Sequence, residues 1–330
     1  MSISAIVPVW NGRGLLERLL ATLEMQTEPA AELLVVDNGS EDGAPELARD
    51  HGARVIAMGR NAGFAAAVNR GIRESRGEWI AVLNSDVELA PDYFATLRAA
   101  ASSTGWFATG KILAHDGTRI DGTFDVLSRG AAAWRVGHGC PDGPAFSTPR
   151  LIWSPPWTAA LFRADLFRRI GLLEESFESY LEDVDFGLRC AAHDCGGWYV
   201  PGAVAWHRGS AALGPWHPDT VRRIARNQLL LVARHYPREA LFRCWWPIAV
   251  AQFLWGALAF RHGAGLAWLR GTFEGTSQFS AVREISTPVG PELLELWLRA
   301  NEKVIREVQP SVGFETYWRL YFLLTRGGTK

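Results

Sequence analysis

Five short stretches of the chain carry residue types that could do chemistry. Asp37 follows the apolar run 33–36 and precedes Asn38-Gly39-Ser40. A carboxylate there can accept a ring N–H of a nucleobase or a ribose hydroxyl; the plainer alternative is an Asp that caps the N–H groups of its own turn. Asn61-Ala62-Gly63-Phe64, with Asn69 and Gly71 beyond, lies between an extended run and a helical one. Gly63 would let backbone approach a ligand closely, and the N-terminus of the following helix suits a diphosphate; an ordinary Asn/Gly loop is the alternative. Asn84-Ser85-Asp86 ends another apolar run. Asp86 there can hold Mg2+ or Mn2+, hard cations commonly shared between one or two carboxylates and substrate phosphates. It could equally cap the helix that begins at Pro91.

The stretch Tyr180-Leu181-Glu182-Asp183-Val184-Asp185 gathers three acids. Acids favour a helix N-terminus through its dipole, but three exceed what a cap needs. Neighbouring carboxylates raise one another's pKa, which suits a general base near neutral pH. His207, in Trp206-His207-Arg208, follows an extended run. It is either a structural histidine or a contact to a metal or diphosphate.

These residues need elements to position them. Residues 3–8, 33–36, 54–57 and 79–83 read as strands, and 15–25, 45–50 and 64–74 as helices, with a further helix from Pro91. Such alternation implies an α/β fold with a mostly parallel central sheet covered on both faces. Ligands bind such sheets outside the carboxyl ends of the strands, where Trp10-Asn11, Asp37-Asn38 and Asn84-Ser85-Asp86 fall. Residues 103–160 are rich in Gly, Pro and Ser and predict a smaller mixed sheet with loops, 131–136 and 157–162 being candidate strands. Residues 163–170 and 182–195 read as helices, and 197–201 as a strand leading to His207. After about residue 215 the chain turns to helices rich in Trp, Leu and Arg.

In order and spacing, the motifs over residues 3–210 resemble the family 2 inverting glycosyltransferases of the GT-A fold, and most of all their bacterial rhamnosyltransferase-like branch. The matching stretches are Ile6-Val7-Pro8-Val9-Trp10-Asn11-Gly12, Val35-Val36-Asp37-Asn38-Gly39-Ser40, Asn61-Ala62-Gly63-Phe64 through Asn69-Arg70-Gly71, Leu83-Asn84-Ser85-Asp86, Glu182-Asp183-Val184-Asp185 and His207. The resemblance implies a Rossmann-like nucleotide-diphospho-sugar transferase domain over 1–212, with a nucleotide-sugar half over 1–100, an acceptor half over 101–212 and a helical region over 213–330. It implies that Asp37 contacts the base of a dTDP- or UDP-sugar, with Pro8, Trp10 and Asn11 lining the pocket and Asn61, Gly63, Asn69, Asn84 and Ser85 completing the donor site. Asp86 would bind Mg2+ or Mn2+ at the second acid of a D-x-D element, with His207 as a second contact. Asp183 would be the general base, and Trp157, Glu182 and Asp185 would flank the acceptor. Asn84 replaces the first acid of D-x-D, which leaves a single carboxylate there. The 61–71 pattern leans toward dTDP-rhamnose over UDP-hexoses.

The chain has 330 residues, 48% of them hydrophobic, and a net charge of −1. Such a composition buries a full core and carries no electrostatic footprint for nucleic acid. The four cysteines form no C-x-x-C pair, which argues against structural zinc and for a reduced, cytoplasmic setting. The N-terminus reads as a first strand and not as a signal peptide. Residues 244–260 carry no charge and include Trp245, Trp246, Phe253, Trp255 and Phe260, between Arg238, Arg243, Arg261 and Arg270. This segment is expected to be a buried core helix, a dimer contact or a peripheral contact with the inner face of the cell membrane over 238–270, where a polyprenyl-linked acceptor would lie. A bilayer span is a further alternative. No G-x-G-x-x-G follows a strand, which argues against a dehydrogenase, and the loop after the first strand lacks the Gly-rich basic character of a pyrophosphorylase. A non-catalytic nucleotide-sugar-binding protein of the same fold is the remaining rival.

Overall fold

A computed structural model describes residues 2–209, 216–313 and 315–325. The chain forms two compact units, Met1–Phe124 with Gly137–Gly209 and Asp125–Val136 with Ser210–Lys330. The expected boundary at 212/213 lies outside the described residues. Residues 125–136 belong to the second unit although both flanking segments belong to the first. Nothing in the local pattern of that stretch announces the excursion.

The first unit opens with β1 (Ile3–Val9), α1 (Arg13–Glu24), β2 (Glu32–Asp37), α2 (Ala44–Asp50), β3 (Arg54–Ala57), α3 (Phe64–Glu74) and β4 (Trp79–Leu83). Then come β5 (Val87–Leu89), α4 (Tyr93–Thr104), β6 (Phe107–Ala114) and β7 (Ile120–Gly122). In the second unit, β8 (Asp125–Leu127) and β9 (Ala133–Arg135) pair with each other as a separate two-stranded sheet. The first unit resumes with β10 (Arg150–Ile152), β11 (Ala159–Arg163), α5 (Ala164–Ile170), α6 (Glu182–Ala192) and β12 (Gly197–His207).

A ten-stranded sheet has the order β10-β12-β6-β11-β4-β1-β2-β3, with β5 on β12 and β7 on β6. β1 pairs in parallel with β2 and β4, β2 with β3, and β6 with β12. β11 lies antiparallel to both β4 and β6, so those two share a direction. Hence β1, β2, β3, β4, β6 and β12 all end at one edge, and β10 and β11 run against them. The strands after residue 103 were expected to make a smaller sheet. In the first unit they extend the main one instead, because β11 pairs with β4 on one side and β6 on the other.

Every residue of β1 is buried, as a parallel strand covered on both faces requires. Ile3, Ala5, Val7 and Val9 share a core with Leu16, Leu19, Leu20 and Leu23 of α1, which fall on one helical face. On the other face α3 lies close to the sheet. A Cβ on Gly71 would stand 2.4 Å from Ile6 Cγ2 and 3.2 Å from Val36 Cγ2, so only glycine permits that approach.

The second unit carries α7 (Pro218–His235), α8 (Arg238–Arg261), α9 (Gly265–Ile285), α10 (Pro291–Val308) and α11 (Thr316–Leu324). In its core the Arg129 guanidinium donates to Glu302 at 2.9 Å, and the Tyr321 hydroxyl donates to the same carboxylate at 2.7 Å. α8 is apolar all round. Cys244, Val250, Ala251, Leu254 and Ala259 are buried, whereas Phe242, Trp245, Trp246, Phe253 and Phe260 are exposed, Phe253 at 69%. Among the described residues no helix is long and apolar enough to cross a membrane.

Candidate active site

The carboxyl ends of β1, β2, β4 and β12 bring most of the singled-out residues to one edge of the sheet. β1 hands on to Trp10, which is 47% exposed, and to Asn11. Pro8 itself is buried within β1 beside Val36 of β2. The Asn11 N–H donates to Ser40 Oγ at 2.9 Å, and Asn11 Oδ1 accepts from the Glu41 N–H at 3.0 Å. The loops after β1 and β2 therefore hold each other. Asp37 ends β2, buried, with Oδ1 accepting the Ser40 N–H at 2.9 Å. That is the turn-capping role, and its other carboxylate oxygen is not part of this bond.

Asn38, to which no separate role was assigned above, ties β2 to the loop before α3. Its amide donates to the Gly63 carbonyl and accepts from the Ala62 N–H, both at 3.3 Å. Asn61 Oδ1 accepts the Gly63 N–H at 3.1 Å. The close approach at Gly63 is to protein: with φ at 89°, a Cβ there would lie 2.9 Å from the Glu178 carbonyl oxygen. The first turn of α3 is likewise committed. The Ala65 N–H donates to the Glu178 carbonyl at 3.1 Å and the Phe64 N–H to Ser179 Oγ at 3.4 Å. Asn69 lies further along α3. It is buried, donates to the Leu173 carbonyl at 2.8 Å and to Glu175 at 2.9 Å, and accepts from the Leu173 N–H at 2.9 Å. It anchors the loop after α5.

Asn84, Ser85 and Asp86 follow β4, each partly exposed. The Asn84 N–H donates to the Thr158 carbonyl at 2.8 Å, which fixes the start of this turn against the strand beside it. β5 then pairs antiparallel with β12, Val87 opposite His207, and this register places Asp86 beside the histidine. His207 Nε2 lies 3.0 Å from Asp86 Oδ1, and its Nδ1 lies 2.9 Å from Asp121 Oδ2. All three side chains are largely enclosed. Burial works against a charged ring here, but the hydrogen bonds and charges of Asp121 and Asp86 prevail and lift the His207 pKa to about 9. Asp121, on the short edge strand β7, was not anticipated: Ile120-Asp121-Gly122 carries no motif, and its partner is 86 residues away.

Asp86 and His207 offer a carboxylate oxygen and an imidazole nitrogen side by side; the carboxylate suits Mg2+ or Mn2+, and the imidazole suits a transition ion such as Mn2+ better than Mg2+. Among the described residues no group of three or more His, Cys, Asp or Glu is arranged to hold an ion alone. The remaining coordination would fall to donor phosphates and water, the usual state of such a cation.

The acids of α6 separate by environment. Asp185 is fully buried and takes two hydrogen bonds from Arg189, and Glu182 is 7% exposed. Asp183 is partly exposed, with Oδ1 accepting the Val184 N–H at 2.8 Å. The approach to this helix is strained: Glu178, Tyr180 and Leu181 adopt φ of 60°, 73° and 68°. Side chains other than glycine resist that region, at about 1–3 kcal/mol each, and such strain gathers at ligand sites. Trp157, expected beside an acceptor, is 2% exposed. Its ring packs on Phe162 at 4.6 Å and Phe186 at 4.9 Å between centroids, so it braces α6 from within the core.

The pattern of glycosyl transferase family 2 matches residues 4–171. The N-acetylglucosaminyl-diphospho-decaprenol L-rhamnosyltransferase of Mycobacterium tuberculosis is 30% identical over 282 residues, covering 74% of this chain and 87% of that one. Two solved structures share the fold. GalNAc-T7 with UDP, GalNAc and Mn2+ has a TM-score of 0.64 at 13% identity, covering 95% of this chain and 58% of that one. The mannosyltransferase PcManGT of Pyrobaculum calidifontis with GDP-Man and Mn2+ has a TM-score of 0.52 at 16% identity, covering 99% and 88%. The family pattern spans β1 to β4 and the turn that bears Asp86, and on that ground the chain belongs to glycosyl transferase family 2 and is a glycosyltransferase.

Proposed function

We propose that the protein moves rhamnose from dTDP-rhamnose, with inversion, to a hydroxyl of a polyprenyl-linked glycan in cell-envelope polysaccharide synthesis. The observation that carries this reading is the contact of Asp86 with His207 at the edge where β1 and β2 present Trp10, Asn11 and Asp37. The sugar and the lipid-linked acceptor are supported by the activity of the mycobacterial relative.

In this mechanism Trp10, Asn11 and Asp37 receive the nucleoside, and Asn84 and Ser85 border the diphosphate. Asp86 and His207 would hold Mg2+ or Mn2+, which when bound would supply positive charge to the departing diphosphate. The metal is supported by the Mn2+ in both fold neighbours. Asp183, the partly exposed acid of α6, accepts the proton of the acceptor hydroxyl. That oxygen bonds to the anomeric carbon from the face opposite the nucleotide. The bond from carbon to phosphate oxygen breaks, and its electron pair leaves with the nucleoside diphosphate. Glu182 and Asp185 hold the start of α6, Asp185 through its pair with Arg189.

The outer face of α8 gives the protein a peripheral seat on the cytoplasmic face of the membrane. It joins exposed Trp245, Trp246, Phe253 and Phe260 to exposed Arg238 and Arg261 at its ends, the pattern of an interfacial helix.

The test is Asp183→Asn. Removing a general base lowers turnover by about 100- to 10,000-fold. The variant is expected to fall in that range while binding dTDP-rhamnose like the parent. Undiminished turnover would overturn the assignment of Asp183, and an inactive parent that binds donor equally well would favour a non-catalytic binding protein.

A further inference from the structure

We propose that Asp121 is the positioning carboxylate of the metal site: it accepts the hydrogen bond of Nδ1–H of His207 and so leaves Nε2, beside Asp86, to a divalent cation. The inference rests on the reading that Asp86 and His207 bind the metal.

A metal-ligating imidazole gives its lone pair from one nitrogen and carries its proton on the other. An acceptor fixed at the second nitrogen therefore selects the ligating tautomer and holds the ring plane. Asp121 Oδ2 stands 2.9 Å from Nδ1, while Nε2 faces Asp86 Oδ1 at 3.0 Å. The two carboxylates thus address opposite nitrogens of one ring and are not interchangeable. Asp86 comes from the turn after β4, and Asp121 from β7.

Asp121 is itself held. β7 pairs with β6, with Ile120 opposite Leu113 and Gly122 opposite Ile112. On its other side the Ile120 N–H donates to the Cys140 carbonyl and the Gly139 N–H to the Ile120 carbonyl, both at 2.8 Å. His138 Nδ1 lies 2.8 Å from the Asp121 carbonyl oxygen. A carboxylate on a strand clamped from both sides can fix a ring in a way that one on a free loop cannot. Chain distance hides it, since residues 121 and 207 meet only through the pairing of β6 with both β7 and β12.

The experiment is a Mn2+ titration of the purified full chain with dTDP present, read as free aqueous Mn2+ by EPR against a blank of dTDP alone, for the parent, Asp121→Ala, Asp121→Asn and His207→Ala. Loss of an outer-shell partner weakens metal binding about 10- to 100-fold. Asp121→Ala is expected in that range. Asp121→Asn keeps an acceptor oxygen for Nδ1–H and is expected to recover most of the affinity, a rescue that loss of fold would not give. Equal affinity in the parent and Asp121→Ala would overturn the positioning role. Asp121→Asn and Asp121→Ala both as weak as His207→Ala would overturn it in favour of direct ligation by Asp121. A parent that binds no Mn2+ would overturn the metal reading beneath it.

Discussion

Arg189 holds Asp185 one turn along α6, with Nε at 3.0 Å and Nη2 at 2.9 Å from the same carboxylate oxygen. The same guanidinium donates to the Ile170 carbonyl at 2.8 Å and so ties α6 to the end of α5. Three neighbouring acids thereby take different parts, and Asp183 is the one of the three partly open to solvent.

Breaking that pair by Arg189→Ala leaves a fully buried carboxylate without its cation. Removing one partner of a buried pair destabilises by about 3–5 kcal/mol. The expected outcome is a loss toward the lower end, since Arg189 is 18% exposed. Urea unfolding of the parent and variant measures it, and unchanged stability would show that Asp185 does not depend on Arg189.

Asn69→Ala removes three hydrogen bonds to residues 173–175 and leaves buried backbone groups unpaired. A loss of about 1–3 kcal/mol is expected. Because these bonds all go to the loop after α5, affinity for dTDP-rhamnose measured by calorimetry should stay within about two-fold of the parent. A large fall in donor affinity with stability intact would restore Asn69 to the nucleotide site.

His207 makes the stability of the metal-free protein depend on pH. Its folded pKa, about 9, exceeds the ordinary 6.5, so its contribution is fully present below about pH 6.5 and is lost as pH rises through 9. The gap in unfolding free energy between the parent and His207→Ala, measured in EDTA, should shrink by on the order of 3 kcal/mol from pH 6 to pH 10. A gap that widens with pH would contradict the arrangement of two carboxylates around the ring.

The exposed face of α8 predicts binding to anionic vesicles. The parent should sediment with phosphatidylglycerol liposomes and less with neutral ones, and Phe253→Asp combined with Trp245→Asp should abolish sedimentation while leaving turnover of a soluble acceptor intact. Self-association of the parent at this face, lost in the same variant, with no vesicle binding, would assign the face to a second copy of the chain.

What the sequence reveals follows what is local. β1 to β4 and their helices repeat at short range, and the polar residues at their carboxyl ends could be named from the run that precedes each one. The contacts that decide roles are long-range. Asp121 reaches His207 across 86 positions, and Asn69 reaches Leu173 across 104. No local pattern encodes either. Trp157 illustrates a different limit: an aromatic side chain stacks on a sugar or on other rings by the same physics, and only the surrounding Phe162, Phe167 and Phe186 decide between them. Asp183, Asp185 and Glu182 look alike as letters and differ through Arg189 and burial.

The most direct test of glycosyl transfer is release of nucleoside diphosphate by the purified protein from dTDP-rhamnose, UDP-sugars and GDP-sugars, with a polyprenyl-linked glycan as acceptor, in Mn2+ and again in EDTA. Acceptor-dependent release from dTDP-rhamnose, stopped by EDTA and restored by added Mn2+, is the predicted result. Release from a UDP-sugar alone would replace the sugar, and no acceptor-dependent release from any donor would contradict transfer by the site of Asp86, Asp183 and His207.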